Sequence, residues 1–393
     1  MATTHCFSTF SFPTLFEASL YAKRYLEDRE TAQAVFLEGL PRVFSRDEMN
    51  AFLQTAAQKS GEFDENHLKA HLRLLRRSVM LRLIARDLFH MADLSEVVST
   101  VTDLAEITVN YALDYFTTSL QRLYGKPMSE TSQKEQKMLV VGMGKLGGRE
   151  LNVSSDIDLI FVYPEEGETV NLARPKKTIS HFEYFTKLAK KLINALHELT
   201  GDGFVFRVDM RLRPNGDSGP LVCNFAMLEH YLFTQGREWE RYAWIKGRIL
   251  NTVRCPDDEA DQHDLMQIVQ PFVFRKYLDY GAYDSMRDLH HQIMQEVQRK
   301  DRFNNIKLGP GGIREIEFIA QVFQLIRGGR ERSLRMRPTL TVLDHLSSLN
   351  LIAPNVVTTL KEAYVLLRNI EHRLQYYDDQ QTQTLPENSV QQE

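Results

Sequence analysis

The sequence predicts an α+β protein, mostly helical, in which a small mixed α/β unit is flanked by helical regions. Apolar residues recur every three or four positions up to about residue 128 and again beyond about residue 250. Between these stretches lie short runs of β-forming residues, KMLVV, DLIFVY and LVCNF, the first two bounded by glycine and proline. The segment GKPMSETSQKEQ is a polar break just ahead of the first run. The division that follows is residues 1–129 helical, 130–250 the α/β unit and 251–393 helical again.

The N-terminal helices are clearest in HLKAHLRLLRRSVMLRLIARDLF, where Leu72, Leu75, Val79, Leu83 and Leu88 fall near one face. The arginines between them read as a solvated or ion-paired face rather than a nucleic-acid surface. In the central unit, ISHFEYFTKLAKKLINALHEL places Phe182, Phe185, Leu188, Leu192, Leu196 and Leu199 at helical intervals. GFVFRVDMRLRP alternates, which predicts a strand with Val205, Arg207, Asp209 and Arg211 on one face. Three further helices are expected in MRDLHHQIMQEVQRKD, GIREIEFIAQVFQLIRGG and VVTTLKEAYVLLRNIEHRLQYY. The last carries Val357, Leu360, Tyr364, Leu367, Ile370 and Leu374 on its stripe, and a polar tail follows it.

Composition narrows the function. The 393 residues are 43% hydrophobic and 25% charged, ordinary for a soluble globular chain of two or three domains. A net charge of −4 gives no global field for nucleic acid or an anionic membrane, so any phosphate must meet a local cluster. The three cysteines, Cys6, Cys223 and Cys255, form no CxxC pair and suit a reducing compartment. MATTHCFSTFSFPTLFE lacks the basic leader and apolar core of a signal peptide. No run of about 18 apolar residues suggests a membrane span, so a cytoplasmic protein is expected.

VVGMGKLGGRELNVSSDIDLIFVYPEE, residues 140–166, admits two readings. Gly142, Gly144 and Gly147 spell GxGxxG, with Glu165 and Glu166 near the place of a ribose-binding acid, as an NAD-dependent oxidoreductase requires. Only GRELNVSS separates Gly147 from Asp156, too little for the long helix of a dinucleotide unit. A Walker phosphate loop fails because Leu146, not Ser or Thr, follows Lys145. In the second reading Asp156 and Asp158, two apart on a strand, point the same way. Asp209 offers a third carboxylate, flanked by Arg207, Arg211 and Arg213. Three hard oxygen ligands beside arginines are what metal-assisted phosphoryl transfer requires. Any one aspartate alone reads as a turn cap or an ion-pair partner; three in this setting do not.

The glycine turn, Asp-Ile-Asp and third strand aspartate resemble the polymerase-β-like nucleotidyltransferase superfamily. GMGKLGGRELNVSSDIDLIFVYPE, DGFVFRVDMRLRPNGDSGPL, QGREWERYAWIKGR, PFVFRKYLD and NIKLGPGGIREIEFIAQVFQLIRGGRE are more specific. They resemble the bifunctional glutamine synthetase adenylyltransferase/adenylyl-removing family, over about residues 72 to 385. VDMRLRP and GGIREIEF resemble its N-terminal version, which implies an isolated adenylyl-removing half. The resemblance implies phosphorolysis of the AMP–tyrosine bond of adenylylated glutamine synthetase, with inorganic phosphate as nucleophile and ADP as product, in the control of nitrogen assimilation. It places Mg²⁺, two ions, on Asp156, Asp158 and Asp209. It sets Gly142 and Gly144 beside a phosphate, with Lys145 and Ser155 on its oxygens. Arg211 and Arg213 are the candidates for the attacking phosphate, and Arg211, on the face of Asp209, is expected to face the site. A PII signalling protein is a further candidate partner.

Several residues are expected to carry no chemistry: His290 and His291, and Trp239 and Trp244 in packing; Glu315 and Glu317 read as helix surface or caps at least as readily as anchors of the site. Three alternatives stay open. They are AMP transfer from ATP to a glutamine synthetase tyrosine, with Asp209 as base; the NAD-dependent oxidoreductase; and a non-catalytic module sensing a nucleotide or PII.

Overall fold

The computed structural model describes residues 10–59, 63–171, 177–275 and 304–386. Six helices open the chain: α1 (Phe12–Ala18), α2 (Leu20–Leu26), α3 (Glu30–Gly39), α4 (Arg46–Lys59), α5 (Glu65–Leu88) and α6 (Leu94–Tyr124). The two long ones begin where a carboxylate takes an otherwise unsatisfied N–H. Asp64 accepts from the His67 N–H at 2.9 Å, and Asp93 from that of Glu96 at 2.8 Å. Leu72, Leu75, Val79 and Leu83 are buried as their spacing predicts, and Leu88 is half-buried.

The arginines of α5 are not all on a solvated face. Arg73, Arg76 and Arg86 are buried. Arg76 pairs with Asp379 at 2.8 Å and Arg86 with Glu96 at 2.6 Å. Arg73 instead donates to the carbonyl oxygens of Lys69, Ala195, Glu198 and Gly203. Its forked donors thereby close the C-terminal end of α8 (His181–His197), where carbonyls lack helical partners.

The main sheet runs β7 (Arg248–Ile249), β2 (Leu139–Gly142), β3 (Ile157–Tyr163), with β5 (Val208–Asp209) and β6 (Val222–Asn224) both on the far edge of β3. β2 is antiparallel to β3 and β7, while β5 and β6 are parallel to β3. β1 (Lys126–Ser129) and β4 (Gly167–Val170) form a separate antiparallel ribbon, so the polar break is partly strand. This topology overturns the dinucleotide alternative. A Rossmann unit needs parallel strands joined by a long crossover helix. Here β2 and β3 are antiparallel, and α7 (Gly144–Gly147) between them has four residues.

Both faces of β3 are covered, as its continuous apolar run requires. Ile157, Leu159, Phe161 and Tyr163 enter a core shared with the N-terminal helices and α8. Ile160 and Val162 face a second core with α9 (Phe225–Thr234), α10 (Glu238–Trp244) and α11 (Pro256–Val273). In α8, Phe185, Leu188, Leu192 and Leu196 are buried, whereas Phe182 and Leu199 are 41% and 76% exposed. Leu199 lies beyond the helix end at His197.

The strand expected in GFVFRVDMRLRP shrinks to Val208–Asp209. The chain curls immediately afterwards. Arg213 Nη1 donates to the Met210 carbonyl at 2.7 Å, and Asn215 adopts φ +61°. Beyond β7, α12 (Ile313–Arg327), α13 (Thr339–Ser348) and α14 (Pro354–Tyr376) surround a third core containing Ile316, Leu343 and Tyr364. Val357 and Tyr364 of the expected stripe are buried; Leu360, Leu367, Ile370 and Leu374 are half-buried. A second stripe of α14, Arg368, Glu371 and Gln375, is fully buried. Cys6, His290, His291 and the helix expected around the two histidines lie outside the described residues.

Replacing Arg73 by Met should remove four carbonyl contacts and destabilise the fold by at least about 3 kcal/mol, since each hydrogen bond to a charged group contributes roughly 1.5–3 kcal/mol. Urea unfolding followed by circular dichroism measures this. A loss below about 1 kcal/mol would mean that the carbonyls find water instead.

Candidate active site

The register of β3 against β5 sets Asp158 opposite Asp209, and Asp156 lies two residues before Asp158 on the same face. Three carboxylates therefore share one end of the sheet, on the side of Ile160 and Val162. Here apolar cover gives way to a cavity of about 430 Å³. Gly144, Lys145, Ser155, Asp156, Asp158, Asp209 and Arg211 line it from the sheet end, and Trp239, Lys246, Lys307, Arg314 and Glu317 line it from later in the chain. A larger groove, about 1130 Å³ between α2, α3 and α5, contains none of the expected site residues.

The three carboxylates differ in their partners. Asp156 accepts from Arg207 Nε at 2.7 Å. Asp209 accepts from the Arg211 N–H at 2.8 Å and from Arg211 Nε at 2.8 Å. Burial alone would raise the Asp209 carboxyl, but the Arg211 hydrogen bonds outweigh it and hold it below the ordinary range. Asp158 sits deepest. Among the described residues no group donates to its carboxylate. Burial, then the charges of Asp209 and Asp156, push it up to about 6.

The glycines divide by role. Gly144 has φ +52°, and a Cβ there would lie 3.1 Å from Asp158 Oδ2. Gly142, expected beside a phosphate, packs against Leu146 and Leu250 and does not line the cavity. Lys145 lines the cavity, but its Nζ lies 3.1–3.2 Å from the two Glu371 oxygens. Burial pushes its ammonium down to about 7, against the pull of Glu371. Of the two arginines after Asp209, Arg211 lines the cavity and Arg213 does not. A continued strand would have put both on one face; the turn after Asp209 separates them.

Other side chains at the cavity were given no site role by the sequence. Lys246 is buried, 2.7 Å from Glu150 and 3.4 Å from Glu317. Glu317 therefore belongs to the cavity wall, whereas Glu315 accepts from the Gly311 N–H at 2.9 Å in a capping role. Trp244 packs in the core, but Trp239 is 39% exposed and lines the cavity. The signal for Glu371 was its spacing: Tyr364, Arg368, Glu371 and Gln375 follow one another at intervals of four, three and four. Lys307 gave none beyond its place in a glycine-rich stretch.

Among the described residues no three His, Cys, Asp or Glu side chains are gathered closely enough to hold a metal ion as they stand. Arg207 and Arg211 hold the outer aspartates in that state. The donor chemistry nevertheless fits a hard divalent cation. All three candidate ligands are carboxylates, and among the described residues the half-buried Asp158 has no cation bonded to it.

A small mixed sheet carrying a glycine turn and three aspartates at one end, set between helical flanks, defines a nucleotidyltransferase-like domain. The chain belongs to the glutamate-ammonia ligase adenylyltransferase family, whose model matches residues 12–263. Residues 287–393 match the GlnD PII-uridylyltransferase model. Over 94% of its length the chain is 54% identical to a bifunctional glutamine synthetase adenylyltransferase/adenylyl-removing enzyme of Chromobacterium violaceum, covering 40% of that protein. The identically named protein of Aromatoleum aromaticum is 55% identical, with 38% of it covered, and that of Neisseria meningitidis serogroup B is 49% identical, with 40% covered. The chain thus spans about 40% of the length of these relatives. No described helix is long and apolar enough to cross a membrane.

The isolation of Asp158 predicts a conflict between stability and chemistry. Its carboxyl is raised from 3.8 to about 6, so the native state retains a proton that the unfolded chain has lost. The resulting destabilisation is absent below about pH 4, grows between 4 and 6, and is complete above about pH 6. In metal-free buffer at pH 7.5, roughly 1.5 units above that pKa, Asp158→Asn should raise Tm by several degrees; at pH 3.5, below both pKa values, it should not. A lower Tm at the higher pH would show that the carboxylate is not isolated.

Proposed function

We propose that this chain is an adenylyl-removing unit. It catalyses Mg²⁺-dependent phosphorolysis of the AMP–tyrosine bond on adenylylated glutamine synthetase, in the cytoplasm, within the control of nitrogen assimilation. The observation that carries the direction is the clamp of Arg211 on Asp209. A carboxylate held below its ordinary range is a poor base. Adding AMP to a tyrosine hydroxyl, of pKa about 10, requires proton removal. Phosphorolysis begins instead from an anionic nucleophile and needs little help of that kind.

In this reading Asp156, Asp158 and Asp209 would hold the magnesium, which would supply charge neutralisation on the phosphoryl oxygens. A phosphate oxygen attacks the α-phosphorus in line with the tyrosyl oxygen. The new P–O–P bond completes ADP as the bond to tyrosine breaks. The departing electron pair stays on the tyrosyl oxygen, which takes up the proton carried by hydrogen phosphate. Gly144 and Ser155, which line the same cavity, would contact the transferred phosphoryl group. Arg211 grips Asp209 through Nε and Nη2, which would leave its Nη1 for the phosphate. The match of residues 287–393 to a PII-uridylyltransferase model supports a PII-type protein as a further partner.

Incubation with adenylylated glutamine synthetase, Mg²⁺ and phosphate should release ADP, and excess EDTA should abolish the release. Transfer of AMP from ATP to the unmodified protein, with pyrophosphate formed, would reverse the assignment. Release of AMP would mean hydrolysis.

Arg211→Ala should raise the KM for phosphate at least about tenfold, the loss expected for one charge-assisted contact, with rate partly restored at high phosphate. Arg213→Ala should alter that KM little. Equal effects of the two substitutions in steady-state kinetics would remove Arg211 from phosphate binding.

A further inference from the structure

We infer that Lys307 and Arg314, which line the cavity together with the aspartates, form the receiving site for a free phosphate anion. The inference rests on the phosphorolysis reading for the identity of the anion, and on the cavity for its place. Both residues line the cavity that holds Asp156, Asp158 and Asp209.

Their lack of engagement separates them from the other cations there. Lys145 is bonded to Glu371, Lys246 to Glu150 and Arg211 to Asp209. Among the described residues, neither the Lys307 ammonium nor the Arg314 guanidinium makes a hydrogen bond or ion pair. Lys307 nevertheless lies within electrostatic reach of Asp158, Glu317 and Glu371. A simple counter-ion would close on Asp158; Lys307 influences it electrostatically without forming an ion pair.

The backbone holds that position firmly. Asn305 Oδ1 accepts from the Lys307 N–H at 3.1 Å and the Leu308 N–H at 2.9 Å. The Ile306 N–H donates to the Gln383 carbonyl at 2.9 Å. The Ile306 and Lys307 carbonyls accept from the N–H groups of Ile313 and Arg314 at 3.1 and 3.0 Å. That last bond joins the backbones of the two cationic residues directly. Gly312 permits the approach, since a Cβ there would come within 2.8–2.9 Å of three carbonyl oxygens. The backbone that carries both charges is thus placed before an anion arrives, which lowers the entropy lost on binding.

The arrangement also answers a difficulty of the reaction. Three aspartates repel a phosphate, so the attacking anion needs positive charge on its far side, away from the group it attacks. The phosphate received there becomes the β-phosphate of ADP. AMP lacks that group. Loss of either cation should therefore weaken phosphate and ADP but leave AMP unchanged.

The test uses the full chain with Mg²⁺, following Tm against phosphate, ADP and AMP for wild type, Lys307→Met, Arg314→Gln and Lys307→Arg. The neutral variants should weaken phosphate and ADP about tenfold or more, with AMP affinity within about threefold of wild type. Lys307→Arg should stay near wild type. Unchanged phosphate affinity in both neutral variants, or an equal loss for AMP, would overturn the site. If ADP forms from adenylylated glutamine synthetase with unchanged phosphate KM in both variants, the site falls and the removal reading stands. If the variants lose phosphate binding but the wild-type chain makes no ADP, the anion site stands and the removal reading falls.

Discussion

Residues 148–156 cross the interior without forming helix or strand, and their polar groups must be answered from elsewhere in the chain. Glu150, Asn152 and Ser154 are all buried. Arg368 of α14 donates to the Glu150 carbonyl at 2.7 Å and to the Asn152 side chain. Gln375 accepts from the Ser154 N–H at 3.1 Å. Glu150 itself accepts from the Thr339 N–H at 2.6 Å and from Lys246 at 2.7 Å. Without these partners the loop could not stay buried, Asp156 and Asp158 would lose their seat, and Lys145 would lose Glu371. Buried charges of this kind contribute little net stability as pairs, yet removing one partner costs about 3–5 kcal/mol. Their effect is to admit a single placement of the loop.

The same network explains what the sequence could and could not reveal. The alternation that puts Asp156 and Asp158 on one face is local, so it was legible, as were the stripes of α5 and α8. The pairing of Asp158 with Asp209 required only that two apolar runs become neighbouring strands. The Lys145–Glu371 contact joins residues 226 positions apart, and no periodicity announces such a partnership. A buried arginine such as Arg368 or Arg73 looks the same in sequence as a solvated one, because its partners are distant backbone carbonyls. The glycine string was ambiguous for a related reason: it fixes a tight turn, while the direction of the next strand depends on what that strand packs against. The alternation in GFVFRVDMRLRP was real, but the strand ended at Asp209, where the chain turns so that Arg213 reaches back to Met210.

Asp158 is the one member of the acidic group whose charge has no bonded answer among the described residues. Arg207 and Arg211 hold Asp156 and Asp209 in place, and Gly144 clears the space above Asp158. Strain is thus concentrated on a single oxygen pair rather than spread over the site. A ligand that supplies positive charge there relieves a penalty built into the native state, so affinity for it is drawn partly from the fold itself.

The two walls of the cavity come from widely separated stretches of chain: the aspartates from residues 156–209, and Lys307, Arg314 and Glu317 from the start of a helical layer about 100 residues later. The sheet register that aligns the aspartates does not depend on which side chains occupy the other wall. Natural variation can therefore alter the group that approaches from that side while the acidic wall stays as it is. Such a division of labour gives one scaffold two independent levers, one for the group being transferred and one for its acceptor.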